Sequence, residues 1–137
     1  MLFAVPMEIP MNRALMLAPV LFALSLAPAL ADPAKACFPM REFDGWRAQD
    51  DKTIFIRVSQ TRYYRLDLGA PCPLLTEKGV HLITQTTGSQ IMCNAANWDV
   101  RVSRDVPGSL PSHCIVKTMT PLSQAEADAI PKEFKPQ

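Results

Sequence analysis

No two cysteines or histidines in this 137-residue chain stand at the close C-x-x-C or H-x-x-x-H spacing of a zinc finger or ribbon. The acidic residues Asp44, Asp50 and Asp51 lack the alternating spacing of a calcium loop. Ser112-His113 has no G-x-S-x-G context, so it does not read as a nucleophile elbow. Charge of either sign is also missing in excess: 14 Lys and Arg face 13 Asp and Glu, for a net charge of +1. That near-neutrality gives no electrostatic footprint for nucleic acid or for an anionic membrane. No internal repeat and no second domain is visible. These absences leave no catalytic residue, no cofactor site and no metal site to assign.

What is present begins with an export signal. From Met11-Asn12-Arg13 the chain runs uncharged from Ala14 to Ala31 and ends in Ala27-Pro28-Ala29-Leu30-Ala31. A basic start, a short apolar run and small residues at Ala29 and Ala31 form the signal-peptidase pattern, and cleavage after Ala31 is expected. A retained anchor is the competing reading, since the run is near the lower limit for spanning a bilayer; Pro19, Pro28 and the A-x-A ending argue against it. The first ten residues hold Glu8, Pro6 and Pro10 and no Lys or Arg, so translation is expected to begin at Met11 or Met7. Lys35 before Cys37 is wrong for lipid attachment. The expected organisation is a signal peptide over 1–31 and one small domain over 32–137, periplasmic or secreted, with no membrane association after cleavage. Removing Arg13 and Glu8 leaves the charge at +1, and four of the seven methionines (Met1, Met7, Met11 and Met16) leave with the leader, so methionine content does not argue for copper.

All four cysteines, Cys37, Cys72, Cys93 and Cys114, fall in the mature part. An even count in a small exported domain reads as two disulfides. Three pairings exist. The nested one, Cys72 with Cys93 and Cys37 with Cys114, is expected because it ties the first segment to the last strand.

Thr53-Ile54-Phe55-Ile56-Arg57-Val58 and Arg62-Tyr63-Tyr64-Arg65-Leu66-Asp67-Leu68 read as the two strands of a hairpin. Placing Ile54, Ile56 and Val58 on one face with Tyr64, Leu66 and Leu68 requires an odd loop. Pairing Val58 with Arg62 leaves Ser59-Gln60-Thr61 as that loop. It sets Phe55 against Arg65 and Arg57 against Tyr63, whereas a two-residue shift would place Arg57 against Arg65. Further strands are predicted at 80–84, 90–93, 98–102 and 113–119, with a turn at Thr86-Thr87-Gly88-Ser89. In the cleanest alternation, Trp98, Val100 and Val102 point inward and Asp99, Arg101 and Ser103 outward. Ser123-Gln124-Ala125-Glu126 is a capping-box pattern closed by Pro131, which predicts a short helix that packs Ala127 and Ile130 on the sheet; the tail after it is expected to be loose. The fold class is therefore mainly β: a small antiparallel sheet or partly closed barrel of about six short strands with a short C-terminal helix.

The combination of Cys37-Phe38, the acidic turn and strand start at Asp50 to Ile54, Tyr63 to Leu68 running into Cys72-Pro73-Leu74-Leu75, then Cys93, Cys114-Ile115-Val116 and Leu122 to Ala127 resembles a family of small exported bacterial domains whose function has not been assigned. The resemblance covers nearly all of the mature chain and implies a scaffold without a transferable catalytic residue.

Three candidate sites remain. His113 beside Cys114 suggests a base and a nucleophile, but neighbours on a strand point to opposite faces. His81 is a lone strand histidine. The outer face of the hairpin gathers Phe55, Arg57, Tyr63 and Arg65, a composition enriched at contact sites, but covering by another part of the domain, with the C-terminal helix as the candidate, is the reading a small sheet domain favours. The function expected is a noncatalytic binding or interaction module in the cell envelope, its partner unknown and an envelope protein the candidate, with no nucleic-acid partner and no cofactor. The alternatives are a small periplasmic hydrolase-like enzyme with a loop-borne site, or a purely structural envelope protein.

Overall fold

The computed structural model describes residues 36–86 and 88–137, so the expected signal peptide and the middle of the expected turn at 86–89 lie outside the described residues. The described chain is mainly β. Its strands are β1 (Phe38–Pro39), β2 (Phe43–Ala48), β3 (Thr53–Val58), β4 (Arg62–Leu68), β5 (Val80–Thr86), β6 (Ile91–Met92), β7 (Trp98–Arg104), β8 (Ser112–Cys114) and β9 (Val116–Pro121), followed by helix α1 (Gln124–Asp128). They form a four-stranded sheet in the order β2-β3-β4-β9, a three-stranded sheet β5-β7-β8 and a ribbon β1-β6, all antiparallel and not closed into a barrel.

The hairpin register is the one that keeps like charges apart: Val58 pairs with Arg62, Ile56 with Tyr64, Arg57 with Tyr63 and Phe55 with Arg65. Its loop places Ser59 and Gln60 in the left-handed region, at φ 49° and 65°, a conformation that costs free energy for residues other than glycine. Glu42 offsets this cost. Its carbonyl accepts the Ser59 N–H at 2.9 Å and its carboxylate accepts the Ser59 hydroxyl at 2.6 Å.

Alternation then builds one core from two sheets. Ile54, Ile56, Val58, Tyr64, Leu66 and Leu68 come from the first, Trp98, Val100 and Val102 from the second, and Phe38 and Met92 from the ribbon. Asp99 and Arg101 turn away from it as expected. Ser103 also lies on the outer face of β7, yet it is buried and donates its hydroxyl to the Arg104 carbonyl.

Four local expectations are corrected. The disulfides join Cys37 to Cys93 and Cys72 to Cys114, an interlaced pairing rather than the nested one. The ladder explains it: Phe38 pairs with Met92, which sets Cys37 directly opposite Cys93, while Cys114 sits on the buried face of β8 across from Val100 and meets Cys72 just beyond β4. The stretch expected as one strand at 113–119 breaks at the exposed Ile115. There the chain leaves β8 in the three-stranded sheet and enters β9 in the four-stranded sheet. β2 was not anticipated, because Phe43-Asp44-Gly45-Trp46-Arg47-Ala48 has no β-branched residue and a bulge falls between Phe43 and Gly45. Finally, the tail is packed. Pro136 is fully buried, and a Cβ at Gly45 would lie 2.9 Å from the Gln137 carbonyl oxygen, so glycine is what lets the tail lie against β2.

The capping box forms as the sequence predicts. The Ser123 hydroxyl accepts the Glu126 N–H, and the Glu126 carboxylate accepts the Ser123 N–H at 2.7 Å. The Ser123 N–H, and after it the Ser123 hydroxyl donating at 2.7 Å, hold the Glu126 carboxyl below the usual glutamate range.

A candidate binding groove between two strand edges

The structure brings Phe55, Arg57, Tyr63 and Arg65 together on the outer face of the hairpin and then lays the C-terminal segment over much of it. Phe55 is buried, and a shallow cleft beside it is walled by Leu122, Ala129, Ile130 and Pro131. Arg57 is ion-paired with Asp44 at 2.8 Å, and its Nε is buried without a partner. The Lys135 ammonium stands 5.3 Å from the Tyr63 ring centroid. Arg65 stays exposed and pairs with Asp67. The face is therefore largely an intramolecular seam, the covered arrangement that a small sheet domain favours.

The other candidates separate. Cys114 is buried in its disulfide while His113 on the same strand is exposed, so the two do not meet. His113 Nε2 lies 3.0 Å from Asp99, whose carboxylate is also held by Arg101 at 2.8 Å, all on an open sheet surface. His81 is exposed opposite Ser103. Asp44 is taken by Arg57, and Asp50 accepts the Lys52 N–H in a local turn at 2.8 Å. Among the described residues no group of three His, Cys, Asp or Glu side chains could hold a metal ion.

A concavity of about 550 Å³ opens where the two larger sheets approach each other. One wall is β2, from Trp46 to Gln49. The other runs from Leu75, in the 3-10 turn Pro73–Thr76, through Glu77 and Lys78 to Val80 at the start of β5. Phe134 and Glu133 of the packed tail close one end. Trp46, Ala48 and Val80 are only half-buried against the core, so their remaining apolar surface faces the groove. Glu77 and Arg104 form a two-pronged ion pair with both contacts at 2.8 Å, and the guanidinium holds the Glu77 carboxyl below the usual range. Arg47, Lys78 and Glu133 make no ion pair with any described residue.

These lining residues were missed from sequence because they come from three distant segments. Trp46 and Phe134 were the available signals: a tryptophan beside an arginine, and an aromatic in a tail bounded by Pro131 and Pro136. Both prolines limit the tail's freedom and lower the entropy cost of packing it.

The model of a family of unknown function, DUF6491, matches residues 11–135, and the chain belongs to that family. No curated protein and no solved structure matches the chain.

Proposed function

Starting from membership in a family whose function is unassigned, we propose that this protein is exported to the periplasm and acts there as a noncatalytic binding module for an envelope protein, with the groove between β2 and β5 as its contact surface. The groove carries this reading. It combines a half-buried tryptophan, aliphatic walls and unpaired charges on the rim, the apolar centre and polar edge that a contact surface needs. Export is supported by the leader pattern ending at Ala31 and by two disulfides, which persist in oxidising compartments.

The test is recovery of bound protein from a solubilised envelope fraction on the immobilised mature domain. Trp46→Ala and Lys78→Glu should each cut recovery of the same partner, whereas Arg101→Glu, on the outer face of β7, should leave it unchanged. Equal recovery by all four proteins would remove the groove from the account. The intact mass of exported protein should correspond to a chain beginning at Asp32 with no free thiol.

A further inference from the structure

We propose that the groove receives an extended polypeptide segment as an added strand on β2, with the main chain of Trp46 and Ala48 supplying the hydrogen bonds; this rests on the groove being the contact surface. The phase of the ladder carries the inference. Gln49 donates its N–H to the Thr53 carbonyl at 2.9 Å, so Gln49, and with it Arg47 and Gly45, are the residues of β2 whose main-chain groups turn toward β3. Trp46 and Ala48 therefore direct theirs to the open side, where no described residue bonds them. On the opposite wall, Asp105 donates to the Gly79 carbonyl at 3.1 Å, which turns Gly79 and His81 toward β7 and leaves Val80 facing outward. Two strand edges with unpaired donors and acceptors thus border one cavity. A small molecule could satisfy only part of this pattern, whereas an extended backbone repeats it.

The occupant's side chains follow from strand alternation. Every second residue would point to the apolar wall of Trp46, Leu75 and Val80, and the intervening ones to the rim. On that rim Arg47 and Lys78 are free cations, Glu133 is a free carboxylate, and Glu77 is already occupied by Arg104. The excess is positive, so the fitting partner is an extended segment that alternates apolar with acidic residues. The bulge before Gly45 and the charged side chains of Asp44 and Arg47 limit the edge to a short stretch, as expected of an edge guarded against open-ended pairing.

The probe is a displayed library of random dodecapeptides selected on the oxidised domain, with the recovered peptides then synthesised. The informative variant is Ala48→Pro, which removes an edge donor without touching the β2–β3 ladder, since proline is tolerated where the N–H faces away from the neighbouring strand. Circular dichroism establishes that it folds, and Ala48→Thr serves as the conservative companion. We expect peptides of alternating apolar and acidic pattern, a loss of about tenfold or more in affinity for Ala48→Pro, a smaller loss for Ala48→Thr, which alters the groove wall but keeps the edge N–H, and slowed amide exchange at Trp46 and Ala48 in the complex. Peptides that depend on Trp46 but bind Ala48→Pro normally would overturn strand addition and leave the groove reading standing. Peptides indifferent to both, or no selectable peptide, would overturn both. A concentration-dependent dimer abolished by Ala48→Pro would also overturn the proposal, because the edge would then belong to a second copy of the chain.

Discussion

Replacing Cys72 and Cys114 together by alanine is expected to destabilise the domain by about 4 kcal/mol, more than replacing Cys37 and Cys93. The bridge closes a separation of 42 residues, and confining that loop in the unfolded chain corresponds to about 4 kcal/mol in the chain-entropy account. For a domain of this size that is a fall in Tm of roughly 15–30 °C. Both cysteines are also buried in the common core, and they connect the end of β4 to β8, so the two larger sheets lose a covalent tie as well as packing. The Cys37–Cys93 bridge closes a similar loop, of separation 56, but Cys93 is exposed and the bridge clamps the edge of a two-stranded ribbon. Removing it should cost less. Thermal melts of the two double variants against the wild type decide the matter; equal losses, or a change of under about 1 kcal/mol for Cys72→Ala with Cys114→Ala, would contradict this division of roles.

The second large effect is expected at Ile56. It is fully buried on a central strand, with Trp46 as its register partner on β2 and Tyr64 on β4. Truncation to alanine should cost about 2–5 kcal/mol, because lost transfer energy adds to a cavity that paired strands on both sides cannot collapse to fill. Ile56→Val should cost only about 0.5–1.5 kcal/mol. Ile115→Ala removes more of the same side chain at the exposed crossing between sheets and should stay within about 0.5 kcal/mol of wild type. Urea unfolding midpoints in the three variants give the comparison. A small effect at Ile56 would mean that the register places another residue at the centre of the core.

The register itself was legible from residues alone. Like-charge avoidance between Arg57 and Arg65 and the shared apolar face of Ile54, Ile56, Tyr64 and Leu66 admit one hairpin, and that hairpin is observed. Trp98, Val100 and Val102 and the capping box at Ser123 were equally local, and they too were readable. What depends on distant partners was not. The cysteine pairing is decided by the short β1–β6 ladder, which rests on two residues from each strand. β2 mixes the strand-favouring Phe43 and Trp46 with Asp44, Gly45 and Ala48, which disfavour strands, so its pairing with β3 decides it. The groove combines Trp46, the Leu75–Val80 stretch and Phe134, so no window of sequence contains it. The Phe55, Arg57, Tyr63 and Arg65 face was placed by alternation, and its covering by another part of the domain, the C-terminal helix as the candidate, was legible too; the share taken by the tail after Pro131 was not, because that segment carries no period.

The proposed contact surface is the edge-bordered groove between β2 and β5, and not the open surface of the other sheet. The most direct measurement places a photo-crosslinking amino acid at Lys78 on the groove rim and, separately, at Arg101 on the outer face of β7, in cells that produce the full chain. Crosslinking to a discrete envelope protein from position 78, with none from position 101, is the result predicted. Crosslinking from position 101 alone would contradict it.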